Sequence, residues 1–345
     1  MSDNPPNEQL SRRKFLGTSA VTAGLVGVGA VAVVVATRRT HARQRTNPFA
    51  YNVDQFRKTD PALIHYQQVS RIPVPREEPR RIAIGPDDLL HVAVGNYISI
   101  FDSGGNPVSE IALSAASSCL GVAKDRTILV GFRDHVEAYS LNGQRTATWD
   151  APSGKPYLTG IAIGDQEVFV ADAGNRVVLR YDRSGKLEGR IGEKNVDRNV
   201  PGFVVPSPFF DVDLAPDGLL RVGNPGRHRV EAYTTKGDLE FFWGKASLSI
   251  EGFCGCCNPI NLAMMPDGRC VTCEKGLPRV KVYDVSGAFE SVVAGPESFP
   301  ENVKACSGDA SECHHGGLDA AVDSHGRIYV LDLVAKDVRV MARMT

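Results

Sequence analysis

Phe210-Asp211-Val212-Asp213-Leu214-Ala215-Pro216-Asp217-Gly218 is a short alternating run that ends in a Pro-Asp-Gly turn. Alternation of apolar and polar residues is the period of a half-buried strand, and Asp-Gly is a residue pair that reverses the chain into a hairpin. The unit recurs. It stands at Arg81-Ile82-Ala83-Ile84-Gly85-Pro86-Asp87-Asp88, Leu120-Gly121-Val122-Ala123-Lys124-Asp125-Arg126 and Gly160-Ile161-Ala162-Ile163-Gly164-Asp165. Later in the chain it stands at Ile260-Asn261-Leu262-Ala263-Met264-Met265-Pro266-Asp267-Gly268 and Leu318-Asp319-Ala320-Ala321-Val322-Asp323-Ser324-His325-Gly326. Six occurrences at intervals of roughly 40 to 60 residues give the periodicity of a propeller or solenoid.

Each unit continues into a second apolar strand, an Asn/Gly-rich loop and a third strand. The third strands fall at Tyr97 to Asp102, His135 to Ser140, Arg176 to Asp182, His228 to Thr234, Arg279 to Asp284 and Val338 to Met341. Val168-Phe169-Val170-Ala171-Asp172-Ala173-Gly174-Asn175-Arg176-Val177 and Ile328-Tyr329-Val330-Leu331-Asp332 closely resemble NHL repeats. That resemblance covers about residues 80 to 343 and implies an all-β fold, a six-bladed β-propeller. The last unit stops after its third strand, which leaves an open edge. Leu63 to Pro73 has strand character, and ring closure by the N-terminus is common in the family, so residues 62 to 75 are expected to close the last blade of a propeller spanning 62 to 345.

With 42% hydrophobic and 23% charged residues in 345, the chain has a globular composition. Lys+Arg and Asp+Glu nearly cancel at 39 and 40, so no strong field draws nucleic acid, and no nucleic-acid partner is expected.

Ser11-Arg12-Arg13-Lys14-Phe15-Leu16 opens an apolar run from Phe15 to Ala36. It looks like a twin-arginine signal, which implies export of a folded protein to the periplasm. At about 1.5 Å per residue the run would cross a hydrocarbon core of about 30 Å, so residues 1 to 36 read as a signal peptide or as a membrane anchor through 15 to 36. Residues 37 to 61 read as a linker.

The chain holds eight cysteines, three of them in Phe253-Cys254-Gly255-Cys256-Cys257-Asn258-Pro259. Strands of a blade run alternately up and down, so the loop leading into strand one and the loop between strands two and three share a face. Cys254, Cys256 and Cys257 lie in the loop leading into blade five, and Cys273 ends strand two of that blade. Cys306, Cys313, His314 and His315 lie in the loop leading into blade six, and Cys119 begins the inner strand of blade two. Cys270 sits near the opposite rim and reads as a small buried hydrophobe.

Three readings compete for these residues. Disulfides suit an oxidising compartment and long loops, although adjacent Cys256 and Cys257 rarely bond each other. A metal centre would draw thiolates from Cys254, Cys256, Cys257 and Cys273, with Cys306, Cys313, His314 or His315 from the next blade, to hold an iron-sulfur cluster, zinc or copper. Thiol chemistry beside Lys275 or a histidine is the third. His91, His135 and His228 fall inside repeats and read as structural.

Activities known among NHL-like propellers include lyases, lactonases and streptogramin-inactivating enzymes, and many members only bind partners. The metal-dependent amidating lyases of this architecture use histidines around the channel, whereas this chain offers cysteines at comparable loop positions. The twin-arginine resemblance implies a cofactor inserted before export. The leading expectation is an exported propeller holding a cysteine-ligated metal or iron-sulfur centre for electron transfer with a membrane redox partner or another periplasmic protein. The alternative is an interaction scaffold whose loops are stapled by disulfides.

Overall fold

In the computed structural model, residues 54–305 and 317–345 are described. The expected signal segment, most of the linker, and Cys306, Cys313, His314 and His315 lie outside the described residues. Among the described residues, no helix is long and apolar enough to cross a membrane.

Among the described residues, twenty-four strands form six antiparallel four-stranded sheets. Blade one comprises β2 (Pro79–Ile84), β3 (Leu90–Val94), β4 (Tyr97–Phe101) and β5 (Pro107–Ala112). Blade two comprises β6 (Cys119–Val122), β7 (Ile128–Gly131), β8 (Val136–Tyr139) and β9 (Arg145–Thr148). Blade three runs from β10 (Leu158–Ile163) through β11 (Glu167–Asp172) and β12 (Val177–Asp182) to β13 (Leu187–Ile191). Blade four runs from β14 (Val212–Leu214) through β15 (Leu220–Asn224) and β16 (Arg229–Tyr233) to β17 (Leu239–Trp243). Blade five holds β18 (Asn261–Met264), β19 (Cys270–Cys273), β20 (Val280–Tyr283) and β21 (Phe289–Ala294). Blade six holds β22 (Leu318–Val322), β23 (Ile328–Asp332) and β24 (Asp337–Arg343), and its fourth place is filled by β1 (Tyr66–Pro73). The fold is therefore the expected six-bladed propeller, its last blade closed by the N-terminal strand. Tyr66 faces Arg343 and Pro73 faces Asp337 across that closure, with a bulge between Gln68 and Ser70.

The core lies between the blades. Six apolar clusters each join two adjacent sheets, and the one that seals the ring packs Ile72 and Val74 with Val92, Leu331 and Val340. The second strands β3, β7, β15, β19 and β23 are buried at every position, because a blade between two others exposes neither face. Each fully buried aliphatic side chain contributes about 1.5–3 kcal/mol, so the ring is stabilised by adjacency of blades.

Two further devices repeat. Near the end of an outermost strand, Ile72, Ile111, Trp149, Ile191 and Trp243 each cover the glycine turn between the third and fourth strands of the following blade. At Gly287 the φ of +84° and the indole of Trp243 both require glycine, since an added Cβ would lie 2.4 Å from Trp243 Cγ. Around the axis, polar side chains of one inner strand bond the next. Leu262 N donates to Asp211 Oδ2 at 3.0 Å, Met264 N to Asp213 Oδ2 at 2.7 Å, and Asn261 Nδ2 to Leu318 O at 2.7 Å. Ile82 N donates to Asp319 Oδ2 at 2.8 Å, which carries the stitching across the ring closure.

Arg81 lies across the axis. From blade one its guanidinium donates to Asp211 of blade four on the opposite side, to Asn261 of blade five, and to Asp319 of blade six at 3.1 Å. Burial alone would lower the Arg81 pKa, but the Asp211 and Asp319 carboxylates outweigh it and hold it above the usual arginine value. A cavity of about 210 Å³ lies along the axis, lined by residues that include Arg81, Asp213, Ile163 and Met264.

Candidate functional site

The loop leading into blade five is held from beneath by one buried carboxylate. Glu274, next to Cys273 at the end of β19, accepts Cys254 N at 2.9 Å. The same carboxylate accepts Arg279 Nε at 2.9 Å and Nη2 at 2.7 Å, and lies 2.8 Å from Lys281 Nζ. All three side chains are almost wholly buried, at 0% exposure for Glu274 and Lys281 and 2% for Arg279. Burial would raise the Glu274 pKa, but Lys281 and Arg279 prevail and hold it below the usual carboxylate range. Burial pushes the Lys281 ammonium down to about 8 against the pull of Glu274.

The two cations spend their remaining protons on the chain before the cysteines. Arg279 Nη1 donates to Leu248 O at 3.1 Å, while Lys281 Nζ donates to Ile250 O at 3.0 Å and Gly252 O at 2.6 Å. Tyr283 Oη donates to Glu251 O at 3.0 Å. Arg279, just before β20, and Lys281 and Tyr283 on it alternate in position, so one face fastens the whole approach to the cysteine loop.

Asn258 fastens the other side. Its Nδ2 donates to Cys254 O at 2.7 Å and Lys275 O at 2.9 Å, and its Oδ1 accepts Lys275 N at 2.9 Å. Gly255 turns the chain with φ +75°, and its carbonyl accepts His228 Nε2–H from blade four at 2.8 Å. The result is a loop tied to the turn that follows β19 and to the residue that precedes β16.

The structure separates the cysteines of this face by burial. Cys256 is exposed, Cys257 is 2% exposed, and their sulfurs stand 3.4 Å apart. Cys254 is 3% exposed and its Sγ donates to Lys275 O at 3.9 Å, with burial and then Glu274 pushing its pKa up to about 11. Cys273 is fully buried in the apolar cluster between blades five and six, and burial raises its pKa well above the ordinary thiol value. Cys119 is also fully buried, and burial pushes it up to about 12 although Arg81 pulls it down. Cys270 is buried in the cluster between blades four and five. Burial of this kind disfavours the thiolate, which is the nucleophilic form. Among the described cysteines of this face, Cys256 and Cys257 bring their sulfurs together, and Cys256 is the exposed one.

Among the described residues, no three His, Cys, Asp or Glu side chains converge in a way that could hold a metal ion. Lys275, which the thiol reading set beside a cysteine, is 3% exposed and has its Nζ 4.3 Å from the centre of the Phe209 ring. Reading the sequence alone does not find Glu274, Arg279, Lys281 or Asn258. The signal was the alternation of Arg279, Lys281 and Tyr283, which on a lone strand describes a solvated face.

With the blades and this loop in place, comparison with known proteins adds one result. No protein family and no curated protein sequence matches the chain. Solved structures do match it. A streptogramin B lyase superposes with a TM-score of 0.56 at 12% identity, covering 83% of this chain and 100% of the lyase. A virginiamycin B lyase from Staphylococcus aureus gives 0.54 at 11% identity, over 81% of this chain and 100% of the other. A catalytically inactive form of that lyase with quinupristin gives 0.53 at 13% identity, over 79% and 83%. At such identity the likeness is one of fold, and function has to be argued from the site.

Proposed function

We propose that the chain is an exported propeller whose Cys256 and Cys257 form the thiolate core of a soft-metal centre serving electron transfer with a membrane or periplasmic partner. The observation that carries this reading is the 3.4 Å separation of the two sulfurs on a loop fixed by Glu274, Asn258 and His228. Two thiolates bound to one ion at about 2.3 Å each would stand at a comparable spacing, and thiolates select copper(I) or zinc over hard cations. The pair supplies two donors. Further donors are sought, from sequence, in Cys306, Cys313, His314 and His315 of the loop leading into blade six, and an iron-sulfur cluster would need two of those cysteines.

Compartment and family enter through resemblance. The Arg12-Arg13 segment is read as a twin-arginine signal, and the repeats are read as NHL-like. The first implies a folded protein delivered beyond the membrane, and the second implies the propeller that would carry the pair.

Titration of reduced, oxygen-free protein with copper(I) against a chromophoric competing chelator tests the reading. Cys256→Ser and Cys257→Ser should each abolish stoichiometric binding, while Cys270→Ser, whose thiol is buried in the cluster between blades four and five, should leave it intact. Equal binding in the double variant and the parent would overturn the proposal.

A further inference from the structure

The same two sulfurs differ in exposure, and that difference has a chemical consequence independent of any metal. We propose that, in the metal-free protein, Cys256 and Cys257 form a peroxide-reactive pair that closes to a vicinal disulfide. Cys256 is the exposed member, and it is the only exposed cysteine among those described. Cys257 is buried behind it at 3.4 Å. An accessible sulfur beside a sheltered one is the arrangement of an attacking and a resolving thiol.

The step balances with a hydroperoxide as oxidant. The Cys256 thiolate attacks the peroxide, a sulfur–oxygen bond forms, the oxygen–oxygen bond breaks, and the alkoxide leaves as an alcohol on taking a proton. The Cys257 sulfur then attacks Cys256 Sγ and expels hydroxide, which leaves as water with the Cys257 proton. Two thiols and one hydroperoxide thus give one disulfide, one alcohol and one water, with two electrons moving from sulfur to the peroxide.

Geometry favours the second step over further oxidation. A disulfide bond is about 2.05 Å long, so the sulfurs have to approach by about 1.3 Å from their 3.4 Å separation. The loop does not have to search for that arrangement, because Cys254 N is tied to Glu274, Asn258 bridges Cys254 and Lys275, and the Gly255 carbonyl is tied to His228. The other described thiols are removed from competition by burial, with Cys254 at 3% exposure and Cys119 at 0%. The pair would act as a redox gate on whatever the loop binds, since the disulfide offers no thiolate.

The test uses the full chain after chelator treatment, with reductant removed and one equivalent of tert-butyl hydroperoxide added without air. Intact mass should fall by about 2 Da, the loss of two hydrogens, and recover with dithiothreitol. Peptide mapping should place the bond between Cys256 and Cys257. Cys257→Ser should instead accumulate oxygen on Cys256. Cys256→Ser, a change at an exposed position that leaves the core untouched, should leave Cys257 reduced. Oxygen retained on Cys256 in the parent protein, or a bond mapped to Cys306, Cys313 or a second chain, would overturn the proposal. Because no metal is present, this outcome is independent of the copper(I) titration.

Discussion

At the residue scale the molecule turns on Glu274. One carboxylate with no exposed surface pairs with both Arg279 and Lys281 and also caps Cys254 N, so it joins these buried charges to the cysteine loop. Removing one member of such a group strands the others without water. Glu274→Gln is therefore expected to destabilise the protein by about 3–5 kcal/mol in denaturant unfolding, the range for breaking a buried ion pair. A loss below about 1 kcal/mol, the scale of a surface pair, would show that water reaches the cluster. None of this was legible in the sequence. Arg279, Lys281 and Tyr283 look like a solvated strand face, and only the loop of residues 244 to 258 lying over β20 turns that face into an interior. Cys254, Cys256, Cys257 and Cys273 were legible in position but not in state, because Cys254 is buried by the Glu274–Lys275 turn folding onto it and Cys273 by the neighbouring blade.

At the scale of elements, the repeat carried most of the information. The six inner strands and six third strands fall where alternation and Asp-Gly turns put them, since hairpin chemistry is local: Asp217 Oδ1 accepts Leu219 N at 3.0 Å, and Asp284 Oδ1 accepts Ser286 N at 2.8 Å and Ala288 N at 2.9 Å. The closing strand was legible for a different reason, the missing fourth strand of the last unit. β1 covers the edge of β24 and contributes Ile72 to the cluster between blades six and one. A chain starting after Pro73 should expose that edge and aggregate, whereas one starting near Asp60 should remain monomeric. Size-exclusion chromatography with light scattering distinguishes them, and a soluble monomer from the shorter chain would contradict the closure.

At the scale of the whole molecule, the ring is held together at its axis by groups whose partners are far apart in sequence, which is why Arg81 reads as nothing special until the blades are in place. Its salt bridges to Asp211 and Asp319 cross 130 and 238 positions. Burial pushes the nearby Asp213 carboxyl up from 3.8 to about 6. Between those values the folded protein holds a proton that the unfolded chain has released, so the Asp213 contribution is complete below 3.8 and is lost as pH rises through about 6. His91, buried with its ring pushed down from 6.5 to about 4, acts in the opposite sense below pH 6.5, so the informative quantity is a difference. Relative to Asp213→Asn, the parent protein should gain melting temperature as pH falls from about 7.5 to about 5, and parallel curves would contradict the assignment. The central claim, a thiolate pair presented by blade five of a closed propeller, is tested most directly by metal content measured together with a thiol count on the full chain prepared without oxygen. The account predicts stoichiometric soft metal that disappears when Cys256 or Cys257 becomes serine, with Cys270 still a thiol. Most of the eight cysteines paired as disulfides, with no stoichiometric metal, would contradict it.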